Sequence, residues 1–294
     1  MDRRDLFKTM GAAAGTVLVG GGLNAQEPDA TAAEPVGILV DTTKCIGCRS
    51  CEYACADAHK DAGVEFTDDV DFSSERTTDD KHWTVVHRYL TDKGEVYAKK
   101  QCMHCLTPAC ASACLTKAMH KTPEGPVNWT PSRCMGCRFC MISCPFDMPK
   151  FQYDSANPRV EKCVMCVERL AEGKQPACVE NCPAGALTFG KRADLLEEGM
   201  KRIYEAPDAY VHQVYGEHEA GGTSWLYLAS VPFEQLGFNP DIGLTPYPTY
   251  TREFLYSVPF VEILVPTFML ALSAATKREQ EVNEAEGETA GRKG

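Results

Sequence analysis

Residues 134–145 read CMGCRFCMISCP, a C-x-x-C-x-x-C-x-x-x-C arrangement, and residues 45–55, CIGCRSCEYAC, repeat it. Two looser copies, in which one gap is wider, lie at 102–114 and 163–182. The 294-residue chain has 16 cysteines, and these four groups use all of them. Group one is Cys45, Cys48, Cys51 and Cys55; group two is Cys102, Cys105, Cys110 and Cys114; group three is Cys134, Cys137, Cys140 and Cys144; group four is Cys163, Cys166, Cys178 and Cys182.

The spacing within each group favours 4Fe-4S clusters. A cubane offers four iron corners, and each takes one thiolate. A C-x-x-C-x-x-C loop wraps three corners, whereas the fourth cysteine of the group begins or crosses a helical turn and points away. Each group is therefore expected to lend its last cysteine to a neighbouring cluster, as in two-cluster ferredoxins.

Two other uses of so many cysteines compete with clusters. Disulfide bonds would strain cysteines that are adjacent on one tight loop, and disulfide frameworks do not repeat this spacing. Zinc is a fairer rival, because pairs of C-x-x-C make tetrahedral sulfur sites. A zinc ribbon, however, has no need for a third cysteine three residues further on.

Three stretches carry a family resemblance: KKQCMHC at 99–105, KCVMC at 162–166 and QPACVENCPAGALTFG at 175–190. With the group-three loop, they resemble the four-cluster ferredoxin-like electron-transfer subunits of periplasmic respiratory oxidoreductases. These include the subunits of quinone-linked nickel–iron hydrogenases, formate dehydrogenases and molybdopterin reductases. Residues 215–236 look most like the HybA-type hydrogenase subunit.

The resemblance implies which groups exchange their last cysteines. Groups one and four pair, as do groups two and three. The implied ligand sets are Cys45, Cys48, Cys51 and Cys182 for cluster one; Cys163, Cys166, Cys178 and Cys55 for cluster two; Cys102, Cys105, Cys110 and Cys144 for cluster three; and Cys134, Cys137, Cys140 and Cys114 for cluster four. The implied fold is α+β, with two nested ferredoxin-like modules that bind four 4Fe-4S clusters.

The two ends of the chain have patterns that predict export and membrane anchoring. Arg3 and Arg4 precede a short apolar run, which predicts a twin-arginine export signal. Residues 254–275 hold eleven Leu, Ile, Val or Phe residues and span about 33 Å as a helix, enough to cross a bilayer. Glu262 and two prolines weigh against insertion, so a buried or interfacial hairpin stays open as the alternative.

The predicted divisions are a signal peptide at 1–25, a linker at 26–35, the four-cluster core at 36–190, a C-terminal extension with partner contacts at 191–250, a transmembrane helix at 251–276 and a charged tail at 277–294. Within them, the sequence predicts a strand at 36–41, strands at 83–86 and 95–97 around a Lys93-Gly94 turn, and a helix at 193–204 followed by irregular segments.

These features predict an electron-transfer subunit with no catalytic site of its own. It is expected on the periplasmic side of the inner membrane, between a catalytic subunit, most simply a nickel–iron hydrogenase, and a quinone-reactive membrane subunit. Formate dehydrogenase or molybdopterin reductase complexes are alternatives, and a structural metal-binding protein is an alternative of another class. The net charge of −11 argues against nucleic-acid binding.

The histidines are assigned minor roles. His104, between two cysteines of group two, is expected to pack beside a cluster rather than act on it. The remaining histidines show no ligand spacing and are treated as ordinary: His59, His82, His87, His120, His212 and His218.

Overall fold

The computed structural model describes residues 34–291 of the chain, with side chains as far as residue 284. The predicted signal peptide at 1–25 and most of the linker at 26–35 lie outside the described residues. The strands are β1 Val36–Asp41, β2 Thr84–Thr91, β3 Gly94–Gln101, β4 Met119–Lys121, β5 Val127–Trp129, β6 Lys150–Phe151, β7 Val160–Glu161, β8 Leu187–Lys191 and β9 Trp225–Leu228. The helices are α1 Ser50–Ala58, α2 Ala109–Ser112, α3 Phe139–Ile142, α4 Val167–Ala171, α5 Ala177–Glu180, α6 Arg192–Glu205 and α7 Tyr247–Gly291, with short 3-10 turns at Lys60–Ala62, Pro131–Arg133, Glu219–Gly221 and Phe233–Leu236.

A three-stranded sheet in the order β8-β1-β9 forms the centre of the fold. The run VGILVD of β1 is rich in β-branched and aliphatic residues, which suit a strand. Strand β8 pairs with it antiparallel and β9 pairs with it parallel, so that Ile38 lies opposite both Phe189 and Trp225. Parallel pairing needs a long connection, and the whole chain from residue 42 to residue 224 lies between β1 and β9.

Both faces of this sheet are covered. On one face, Leu39 packs with Leu195 and Ile203 of α6, which was expected as a helix from Ala193 to Tyr204. On the other face, Ile38 and Val40 pack in a cluster of buried residues that includes Cys102, Cys163 and Cys178. One face of the sheet therefore packs against the cysteine-bearing loops.

The remaining strands form antiparallel pairs: β2 with β3, β4 with β5, and β6 with β7. The expected hairpin around Lys93-Gly94 is present, with Thr84 opposite Gln101. Three of the described helices have only four residues, and each carries one cysteine: Cys110 on α2, Cys140 on α3 and Cys178 on α5. The folded part is thus the mixture of short helices and strands that the sequence predicts.

The chain closes with the long helix α7, Tyr247–Gly291. Its stretch Tyr247–Glu284 is the single helix in the described region that is long and apolar enough to cross a membrane, judged by length and composition. The side chains of this stretch are almost all exposed, and α7 contacts the rest of the fold at α2.

Candidate iron–sulfur cluster sites

The group-one and group-three loops share one backbone shape. Around Cys48, Gly47 has φ 69° and Arg49 has φ 61°; around Cys137, Gly136 has φ 71° and Arg138 has φ 60°. Non-glycine residues rarely adopt this left-handed conformation, because it costs about 1–2 kcal/mol. Alternating right- and left-handed residues turn successive backbone N–H groups toward one point, which makes a concavity for anions such as iron–sulfur clusters.

The looser groups reach a similar shape by other residues. In group two, His104 stands at φ 48°, and in group four, Met165 and Cys166 stand at φ 53° and 48°. The amide of Met165 donates to Cys163 Sγ at 3.4 Å, and in group two the amide of Met119 donates to Cys114 Sγ at 3.3 Å. Positive φ at these non-glycine residues shows backbone strain that the thiol-bearing loops retain.

The last two cysteines of each group lie on or just after a short helix. In group one, Cys51 and Cys55 both lie on α1, one helical turn apart. In group four, Cys178 lies on α5 and Cys182 follows it. A side chain one turn further along a helix is displaced by about 5–6 Å, which carries the last thiol out of its own loop.

The structure brings cysteines of groups one and four together around two cavities. The first is lined by Cys45, Cys48, Cys51 and Cys182, which we call set one. The second is lined by Cys55, Cys163, Cys166 and Cys178, which we call set two. Each set thus has three thiols from one group and the last thiol of the other.

The thiols of groups two and three interact in the same exchanged manner. The thiol of Cys105 lies within electrostatic range of Cys102, Cys110 and Cys144, and these four are set three. Cys140 lies within range of Cys114, Cys134 and Cys137, and these four are set four. The four sets coincide with the groupings that the resemblance implies, and their role as cluster ligands stays a prediction.

All 16 cysteines are free, so the structure forms none of the disulfides considered for this chain. Within the described residues, no three or more His, Cys, Asp or Glu side chains gather tightly enough to hold one metal ion. The thiols of set one and of set two instead line a cavity each.

Burial makes several of these thiols weak acids. It raises the pKa of Cys51 to about 12, that of Cys163 to about 12 and that of Cys140 to about 11. Because thiolates are the metal-binding form, loading of iron must displace these protons. A buried cation would stabilise thiolates at such a site, and Lys99 lines both the set-one and the set-two cavity.

Two side chains beside the thiols, His59 and Lys99, have positions that the sequence did not predict. His59, treated as ordinary, places its Nε2 atom 3.3 Å from Cys166 Sγ and packs its ring against Trp83. Lys99 was noted only as part of a resembling stretch, and it is buried. A lysine on a strand and an isolated histidine carry no pattern from which these positions follow. His104 is fully buried, and its Nδ1 accepts a hydrogen bond from the Val127 amide at 2.8 Å, as a packing role implies.

Known proteins resemble this chain along most of its length. The 4Fe-4S dicluster domain family matches residues 95–192. A protein of Nitratidesulfovibrio vulgaris is 44% identical over 291 residues, which cover 96% of this chain and 79% of that relative. Hydrogenase-2 operon protein HybA of Escherichia coli O157:H7 is 36% identical over 274 residues, which cover 80% and 83%. This chain belongs to the HybA-type family of iron–sulfur electron-transfer subunits.

The likeness extends to another branch of the same family. The iron–sulfur subunit of the nitrate-inducible formate dehydrogenase of E. coli K12 is 33% identical over 206 residues, 66% of this chain and 67% of that subunit. The family resemblance stated from the cysteine loops is therefore confirmed.

Proposed function

We propose that this chain is the electron-transfer subunit of a membrane-associated respiratory complex, with a 4Fe-4S cluster held by each of its four cysteine sets. The observation that carries the proposal is the arrangement of all 16 cysteines into four sets of four. When bound, a 4Fe-4S cluster accepts and gives up one electron at a time. The chain supplies the thiols, the inward-facing amides and the low-dielectric surroundings that tune the potential.

The sets form a row, which is what a relay requires. Cys51 of set one lies within electrostatic range of Cys178 of set two. Cys163 of set two has Cys102 of set three in range, and Cys110 of set three has Cys140 of set four. Such neighbours support electron passage in the order one, two, three, four, or its reverse.

The two ends of the row are open to partners. Among the 16 cysteines, only Cys48 of set one and Cys137 of set four are exposed. Ile46 is 64% exposed beside the first, and Met135 is 63% exposed beside the second. Exposed apolar side chains around a thiol suit protein docking, since a partner that covers them brings its own redox centre close.

The long helix α7 supports a membrane contact at one end of the row. We infer that α7 anchors the chain, because its stretch Tyr247–Glu284 has a mean hydropathy of 1.8 over its most apolar window. It contacts α2, the helix that carries Cys110 of set three. The set-four end therefore faces a quinone-reactive membrane subunit, and the set-one end faces a periplasmic catalytic subunit reached by twin-arginine export.

The catalytic partner that we favour is a nickel–iron hydrogenase, on the strength of the HybA likeness along 80% of this chain. A formate dehydrogenase or molybdopterin reductase is the second candidate, favoured by the formate dehydrogenase relative. In either complex this chain turns over no substrate. Isolation from membranes of the native host, followed by identification of the co-purifying large subunit, distinguishes the two.

Metal analysis tests the relay itself against a structural metal-binding role. Anaerobically purified protein is expected to hold about sixteen irons and about sixteen sulfides per chain, at four of each per cluster. Broad visible absorbance that bleaches on reduction is expected as well. Zinc in place of iron, or a colourless protein, contradicts the proposal.

A further inference from the structure

Lys99 of β3 is a buried cation without a carboxylate partner. Its residue is 2% exposed, and its Nζ donates hydrogen bonds to Gln101 Oε1 at 2.9 Å and to Thr84 Oγ1. Both acceptors are neutral, and among residues 34–284 no Asp or Glu forms an ion pair with it. Burial of an unpaired ammonium is costly, so this position demands negative charge nearby.

The surroundings hold the Lys99 ammonium in one place. Its Nζ lies 4.6 Å from the centre of the Trp225 ring, within cation–π range. Tyr227 donates its hydroxyl to the Lys99 carbonyl at 2.9 Å and accepts from Gln101 Nε2 at 2.5 Å. This closed ring of hydrogen bonds joins the side chain of Gln101 to the backbone of Lys99, so that the charge cannot swing to solvent.

Lys99 lies between two cysteine sets. It is the one residue that lines both the set-one cavity and the set-two cavity in the described part of the chain. The thiols that act most strongly on its ammonium are Cys51 of set one and Cys55, Cys163 and Cys178 of set two. With clusters bound, the negative charge that the burial demands would come from both sets at once.

We propose that Lys99 is a positioning residue: its fixed charge raises the reduction potentials of both the set-one cluster and the set-two cluster. This role rests on the proposed function. Each reduction adds one electron, given by the adjacent redox centre, to a cluster that already carries net negative charge. A nearby ammonium stabilises that added charge, and more so in a low-dielectric interior than in water. Lys99 keeps its proton throughout, so no proton is taken up or released.

A charge shared by two clusters has a signature that a local hydrogen bond lacks. Loss of a single N–H to one thiolate shifts one potential. Loss of Lys99 shifts two, in the same direction, and leaves the set-three and set-four potentials where they were. It therefore changes the difference in reduction potential between the two halves of the relay.

The test is a redox titration monitored by electron paramagnetic resonance, on the anaerobically purified complex with Lys99→Met and Lys99→Gln. The matched control is Lys100→Met, the next residue of β3, whose ammonium pairs with Glu75 and the Gly237 carbonyl instead. We expect at least a tenfold fall in the equilibrium constant for reduction of two clusters, which is about 59 mV each for one electron. Iron content and the control's potentials are expected to match the unaltered protein.

Four unshifted potentials in both Lys99 variants overturn the proposal, and so does a shift confined to one cluster. Loss of iron from both variants assigns Lys99 a structural role and overturns it as well. Absence of cubane signals from the unaltered protein is a separate result, which counts against the proposed function rather than against this role for Lys99.

Discussion

The loops around Cys48 and Cys137 have the same local form but different surroundings. Each has glycine and arginine on either side of the exposed cysteine, with φ values that agree within 2°. Arg49 is 8% exposed and donates to the buried carboxylate of Glu52, whereas Arg138 lies over the rings of Phe151 and Tyr153. The backbone shape of the loop thus follows from its local sequence, whereas its contacts come from the rest of the fold.

The largest expected effect is the loss of a whole cluster from one end. Cys137→Ser removes a thiol of set four, so about four irons and four sulfides are expected to be lost per chain. Electron flow through the row then stops. Cys48→Ser is expected to do the same at set one, and iron analysis with spectral comparison distinguishes the two.

The control for both cysteine variants is His218→Ala. This side chain is 68% exposed, lies 3.4 Å from Glu217 and lines neither the set-one nor the set-two cavity. Its removal is expected to leave iron content and electron flow unchanged. An unaltered iron content in Cys137→Ser would show that this thiol is not a ligand.

The next effect concerns the buried ion network that exists only at the first loop. Glu52 is 4% exposed and accepts hydrogen bonds from Arg49, Arg76 and the Val86 amide. Glu52→Gln leaves two buried guanidinium groups without a counter-charge, so a loss of about 3–5 kcal/mol is expected in anaerobic denaturant unfolding. Asp147→Asn, which breaks an exposed pair with Lys150, is expected to cost less than about 1 kcal/mol. Equal losses would contradict the role given to Glu52.

The two loop glycines separate backbone shape from packing. A Cβ added to Gly47 would lie 2.4 Å from the ring of Tyr97, whereas one added to Gly136 meets nothing within 4 Å. Alanine in the left-handed conformation lowers the free energy of unfolding by about 1–2 kcal/mol at either position. Overpacking lowers it by about 1–3 kcal/mol more in Gly47→Ala. Thermal unfolding of the two variants measures the difference, and a similar melting temperature for both would refute the close approach of Tyr97.

The smallest expected difference is in acid sensitivity. Burial alone would raise the pKa of Glu52, but hydrogen bonds from Arg76 and Arg49 prevail and hold it below its ordinary 4.5. A lowered carboxylate pKa stabilises the fold above the unfolded value and is lost as pH falls through the folded value. The stability difference between the unaltered protein and Glu52→Gln is therefore expected to shrink below pH 4.5. A difference that grows on acidification would contradict this sign.

Much of the cysteine framework could be predicted because it is local. The loops repeat a short spacing, and the group-one and group-three loops take one backbone shape in different surroundings. Strand β1, the β2–β3 hairpin and the helix after β8 also follow from short apolar patterns and a turn at Lys93-Gly94. The apolar run near the C-terminus forms a helix as expected, and its place in a membrane stays a prediction.

The features that sequence reasoning missed depend on contacts between distant parts of the chain. Strand β9 pairs with β1 across some 180 residues, in a region where only irregular segments and partner contacts were expected after the helix. Trp225 and Tyr227 of that strand are fully buried. Lys99 acquires its importance from those same rings, and His59 from its approach to Cys166. Neither set of contacts can be predicted from the spacing of residues in the sequence.

Native mass spectrometry of the anaerobically purified chain tests the central claim most directly, because it measures the total mass of bound iron and sulfide on the intact protein. The account predicts a mass that exceeds the polypeptide by four 4Fe-4S groups, and by three in Cys137→Ser. A polypeptide that carries zinc ions, or no inorganic mass at all, would contradict it.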